Sequence, residues 1–114
     1  MSFNTKTYQP VQSLTIKVTE DIPAYRFISI AGALCADNAR ALGASEVRWI
    51  SGQYAQTVSL GTIVVEAAGN IAVGDDIASA ASGKARKALP GETVNGRALE
   101  SALINGFVRI KLVP

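Results

Sequence analysis

Val65-Glu66-Ala67-Ala68-Gly69-Asn70-Ile71-Ala72-Val73-Gly74-Asp75-Asp76-Ile77 opens the half of the chain whose reading decides the fold. Short apolar runs are cut at close intervals by glycine. The rhythm continues through Ser82-Gly83-Lys84-Ala85, Asn95-Gly96-Arg97-Ala98-Leu99-Glu100 and Gly106-Phe107-Val108-Arg109-Ile110-Lys111-Leu112-Val113. Several short strands separated by regular turn signals describe a mostly β fold, a small β-barrel or sandwich. The last run is the clearest strand, with Val108, Ile110 and Leu112 on one side and Arg109 and Lys111 on the other.

Working outward, Ile77–Ala81 and Lys84–Leu89 flank Ser82-Gly83. Their alanines favour helix, but Gly83 sits centrally and weakens one there, so a hairpin is expected. Pro90-Gly91 and Asn95-Gly96 read as turns, and 97–102 as a strand. Upstream, 57–60 and 62–67 flank Gly61, which marks a turn or a bulge. Residues 46–50 alternate, with Val47 and Trp49 on one face. Residues 37–44 either form one helical turn capped by Asp37 or a loop on the barrel rim. Residues 25–31 form an apolar strand closed by Gly32, and 34–36 a short further one. Leu14, Ile16 and Val18 alternate with Thr15, Lys17 and Thr19, the period of a half-buried strand that Pro23 ends. Residues 1–12 are polar and irregular apart from isolated apolar anchors, and make an extended N-terminal arm ahead of a barrel domain at 13–114.

The 114 residues suffice for one domain. With 48% hydrophobic and 18% charged residues the chain is globular rather than disordered. Aromatic residues make up 6%, so Val, Ile, Leu and Ala must build the core. The net charge of +2 argues against nucleic acid as a partner, which needs a clustered basic face. Lys84, Arg86 and Lys87 are the one basic cluster, read as a solvated strand edge. The single cysteine, Cys35, excludes an internal disulfide and reads as a small buried core residue. No apolar run has the length of a membrane span, and the polar N-terminus shows no signal peptide, so folding in a reducing cytoplasm is expected.

Parts for chemistry are few. The chain has no histidine, which removes Ser-His-Asp and Cys-His machinery and histidine metal sites. Asp75 and Asp76 are adjacent and point to opposite faces if extended; a turn stabilised by its own aspartate fits them better than a calcium site or a glycosidase pair. No catalytic residue, cofactor site or metal site is expected.

Two family resemblances follow from these motifs. Gly74-Asp75-Asp76-Ile77 with Gly83-Lys84-Ala85 looks like the lipoyl and biotinyl carrier domains, where a hairpin lysine carries the cofactor; Lys84 holds that position. The acidic lead-in of that family is replaced here by Ala81, Ser82 and Gly83. More of the chain resembles bacteriophage capsid cement or head decoration proteins. The segments, in order, are Val65 to Gly69, Ile71 to Asp75, Gly83-Lys84-Ala85, Gly96 to Glu100, and Gly106 to Ile110. Residues 36–53 depart from the pattern. The resemblance implies a non-enzymatic virion protein on the outer capsid surface, made in the host bacterial cytoplasm. It implies a homotrimer that binds the major capsid protein and stabilises the shell. An arm that orders on binding is part of that resemblance, and it makes Phe3, Tyr8, Pro10 and Val11 the expected partner-binding residues, in contact with the capsid shell or an adjacent copy. A tail-tube or fibre module is the remaining structural alternative.

Overall fold

The computed structural model describes residues 8–113. Eight strands follow one another along the chain: β1 Pro10–Lys17, β2 Phe27–Ile28, β3 Gly43–Ser45, β4 Tyr54–Glu66, β5 Asp76–Ser79, β6 Ala85–Lys87, β7 Gly96–Ala98 and β8 Phe107–Leu112. Among the described residues the one helical element is a 3-10 turn, Ala81–Gly83, between β5 and β6. The expected mostly β, barrel-like single domain is what the chain forms.

All pairings between these strands are antiparallel, and the sheet runs β2-β3-β4-β8-β7-β5-β6, with β1 lying on β4 outside that path. Its two ends curl toward each other. Just past β4, Ala67 bridges Ala85 of β6, and the Ala68 N–H donates to the Ala85 carbonyl at 2.7 Å. On the other side the Gly83 N–H donates to Cys35 O, whose own N–H donates to Phe27 O in β2, both at 3.0 Å. The result is a nearly closed barrel.

β4 makes this closure possible. The two expected strands around Gly61 are one strand of 13 residues, so Gly61 is not a turn; it pairs with Pro10, and the register with β1 is irregular just beyond it, between Pro10 and Ser13. At φ +103° it adopts a conformation that side chains disfavour, and a Cβ there would stand 2.5 Å from Gln9 O. The first half of β4 pairs with β1 and β3 and its second half with β8.

The interior follows the alternation of β4 and β8. Ile63 and Val65 face Ile110 and Val108, and all four are fully buried. Phe27, Cys35, Ile77, Ala85, Ala98 and Leu112 belong to the same core. A smaller cluster, Val18, Ile22, Ile28 and Ala55, lies beneath Leu34 and Trp49.

Several sequence expectations are corrected. Asn95-Gly96 is not a turn. Asn95 is buried, accepts from Ala41 N–H at 3.0 Å and donates to Ala39 O at 2.9 Å, so it staples the 36–42 loop while Gly96 begins β7. That loop is the rim alternative for 37–44, with Asn38 at φ +56° where a helix would need negative values. The strand expected at 25–31 shrinks to Phe27–Ile28, because residues 29–32 reverse the chain through a Gly32 N–H to Ser29 O bond. Residues 46–50 form no strand; Trp49 makes an isolated bridge with Ile22 while Val47 is exposed. The strand at 97–102 ends at Ala98, and Leu34 contributes a single bridge to Ile28. The 77–89 hairpin is present as expected despite its alanines.

Candidate interaction surface

The expected binding residues lie where the N-terminal segment joins the barrel. Phe3 lies outside the described residues. Tyr8 is half-buried against its own domain: its hydroxyl donates to Glu46 Oε2 at 3.1 Å, and its ring meets Tyr25 edge-on, centroids 6.4 Å apart. Tyr25 in turn meets Phe107 edge-on at 5.6 Å. Burial, then hydrogen bonding with Tyr25 and Glu46, pushes the Tyr8 phenol pKa up. Three rings from distant parts of the chain thus form a ladder that fixes the start of β1.

Tyr25 is the strained member, at φ +62°. A left-handed backbone at a bulky residue costs about 1–2 kcal/mol. It is held there because its N–H donates to Ser45 O at 2.8 Å and its carbonyl accepts from Glu66 N–H at 2.9 Å. Beside the ladder, Glu66 Oε2 binds Arg26 at 2.8 Å and Lys84 at 3.3 Å. Tyr25, Glu46 and Phe107 carried no sequence signal, since nothing local shows that residues so far apart will share a surface.

Pro10 and Val11 are not arm residues in the sense of being free of the sheet. β1 starts at Pro10, opposite Gly61, so residues 10–12 of the expected arm lie in β1, with Pro10 and Gln12 paired on β4. The Gln9 N–H donates to Thr62 Oγ1 and the Thr62 N–H to Gln9 O. β1 is a strand as its alternation suggests, but it is not half-buried: Val11 is 72% and Leu14 40% exposed, and Val18, just past its end, is the first buried side chain. Leu14 lines a groove of about 560 Å³ with Ile30, Leu42, Leu60 and Val113, rimmed by Gln12 and Arg40.

The remaining sites are structural. Lys84 does not stand at the hairpin tip, which is the 81–83 turn, and its ammonium is engaged by Glu66. Arg86 grips Glu92 through two bonds at 2.6 and 2.7 Å and Asp37 at 2.9 Å, tying two loops to β6. The hydrogen bond from Arg86 lowers the Glu92 carboxyl to about 2, and those carboxylates raise the Arg86 pKa. The basic cluster is therefore ion-paired rather than merely solvated. Asp75 Oδ2 accepts from Ala72 N–H at 3.0 Å, the self-stabilised turn expected of it. Among the described residues no three His, Cys, Asp or Glu side chains converge as a metal site would require.

No protein-family model matches the chain, and no curated protein sequence matches it. Among solved structures the chain is similar to the head fiber gp8.5 N base of bacteriophage phi29, with a TM-score of 0.77 and 22% identity over 90% of this chain and 93% of that one. At that identity the likeness establishes a shared fold.

Proposed function

We propose that this chain is a structural virion protein that sits on the outside of a phage head and stabilises its shell of major capsid protein, as a homotrimer assembled in the bacterial host cytoplasm. The observation that carries the reading is the fold-wide likeness to a head fiber base, joined to the ordered turn motifs of the decoration-protein resemblance. The physical design suits a clamp. A small barrel with a buried aliphatic core offers a rigid surface, and copies acting together turn modest contacts into a firm hold. The N-terminal segment, anchored by Tyr8 on the aromatic ladder, is the grip.

Binding of the purified protein to expanded, undecorated heads tests this. Full-length protein should saturate the heads at a fixed copy number, and a variant lacking residues 2–7 should fold but bind at least tenfold more weakly. Failure of the full-length protein to bind overturns the head reading. Wild-type occupancy by the truncated variant overturns the role of the arm. A fibre base is the second reading, favoured by the neighbour's name; negative-stain images of decorated heads separate a low knob from a projecting fibre.

The carrier alternative has less support. A carrier lysine must swing free at a hairpin tip, whereas Lys84 is held in an ion pair at the base of β6. An unmodified intact mass after co-expression with lipoyl and biotinyl ligases is expected.

A further inference from the structure

We infer that the outer edge of β1 and its apolar groove receive residues 1–7 of a neighbouring copy of this chain, with the Phe3 ring in the groove. The inference builds on the arm reading above and names what the arm grips; its test uses no phage heads.

The edge is open over a short, defined span. Val18 donates its N–H to Gln53 O at 2.9 Å and accepts from Gly52 N–H at 2.8 Å, so its polar groups face the β4 side. In a strand this alternates, so Ile16 and Leu14 also face β4 while Thr15 and Ser13 present N–H and C=O outward. No partner for those outward groups exists among the described residues. Beyond them the edge is closed, because the Thr19 N–H donates to Gly32 O and Gly32 packs against the Lys17 carbonyl. At the other end the pairing is irregular between Pro10 and Ser13. A long strand, such as a second β1, would run into the 29–32 turn; a short segment fits.

Between Ser13 and Thr15 this edge carries neither a charge nor a proline. Pro-Val-Gln-Ser-Leu-Thr-Ile-Lys carries one charge, at its closed end, and the adjoining groove exposes Ile30 at 78% and Leu14 at 40%. Open edges with apolar flanks take up extended segments by main-chain hydrogen bonding, with side-chain pockets giving specificity.

The Phe3 that fills the groove cannot come from the same chain. Tyr8 and Gln9 are fixed on the barrel by Glu46, Tyr25 and Thr62. A hairpin needs a loop of at least about two residues. With that loop at 6–7, Phe3 falls opposite Pro10, four residues short of Leu14 and its groove. Another copy has no such limit: its seven residues span about 23 Å when extended. Within them Phe3 is the one aromatic residue, a match for a groove walled by Leu14, Ile30, Leu42, Leu60 and Val113.

Sedimentation equilibrium of the full chain, of Phe3→Ala and of Leu14→Lys tests this. The wild type should self-associate below about 100 µM, and each variant should associate roughly tenfold to a hundredfold more weakly, the loss expected for one buried aromatic anchor. Mixed together, the two variants should regain a 1:1 complex, since one keeps the groove and the other keeps the arm. A second variant, Phe3→Cys with Leu14→Cys, should form intermolecular disulfide dimers on oxidation, with the buried Cys35 taking no part. A monomeric wild type at that concentration, no recovery on mixing, or absence of the crosslink overturns the inference. Any of these leaves head binding intact if the full-length protein still decorates heads.

Discussion

Gly96→Ala separates two readings of one glycine. Asn95-Gly96 looks like a hairpin turn in sequence, yet Gly96 begins β7 beside β8 and its φ is not positive. An added Cβ would stand 2.9 Å from Ile110 Cδ1 and 2.9 Å from the Lys111 carbonyl oxygen, against the 3.4–4 Å of ordinary contact. The neighbours must therefore yield by about half an ångström. Overpacking of this kind costs about 1–3 kcal/mol. It opposes the roughly 0.4–1 kcal/mol that an alanine gains by restricting the unfolded chain. The net expectation is destabilisation by about 1–2 kcal/mol, a fall in Tm of roughly 4–8 °C for a domain of this size.

The clash has a removable half. Ile110→Val deletes Cδ1 and alone costs about 0.5–1.5 kcal/mol. In the double variant the apolar collision is gone and only the carbonyl contact remains. The two substitutions should then combine to at least about 0.5 kcal/mol less than their sum. Urea unfolding of the four proteins, with equal m-values as the check on two-state behaviour, measures the cycle. A strictly additive pair, which a turn glycine would give, or a Gly96→Ala protein more stable than the parent, refutes the packing argument.

Three further predictions follow from single contacts. Because Arg86 holds the folded-state pKa of Glu92 at about 2, below its ordinary 4.5, this pair's contribution is fully present above about pH 4.5 and is lost as pH falls toward 2; Glu92→Gln should thus lower Tm at pH 6 and differ little from the parent at pH 2, and a pH-independent difference would refute this. Tyr8→Ala removes an edge-on ring contact and a hydrogen bond, together about 1–2 kcal/mol, so amide exchange at Gln9 and Thr62 should quicken by roughly tenfold while Val65 and Ile110 stay protected; uniform quickening would show instead that the ladder supports the whole barrel. Cys35 is fully buried and burial raises its thiol pKa, so a water-soluble thiol reagent at pH 8 should label it only as fast as the protein opens, and immediate labelling would contradict the packing.

Legibility in the sequence varied with the range of the interaction that decides each element. β8 was plain because its alternation reports a one-sided burial that Val108, Ile110 and Leu112 realise. The 77–89 hairpin was readable because Gly83, at φ +73°, occupies a turn that excludes a helix. Residues 46–50 alternate just as well but find no partner strand beyond one bridge at Trp49, since a pattern shows a face and not a neighbour. Asn95 misled because its buried amide serves the 39–41 loop, a role more than fifty residues away in sequence. Of the expected binding residues, Tyr8 is committed to its own barrel and Pro10 and Val11 to β1, while the groove residues Leu14, Ile30 and Leu60 gave no collective signal.

The sequence by itself determined the class of this protein: a β-rich domain with an aliphatic core, glycine-cut strands and no histidine chemistry. Those are properties of period and composition, which act within a few residues. The tertiary structure alone decided how the strands close. It carried β4 unbroken through Gly61, strained Tyr25 into the ladder between Tyr8 and Phe107, and left one short edge of β1 open beside an apolar groove. The physical reason is that strand pairing is non-local. Each ladder hydrogen bond joins residues whose meeting depends on every turn between them, so no segment carries the instruction for its own neighbour.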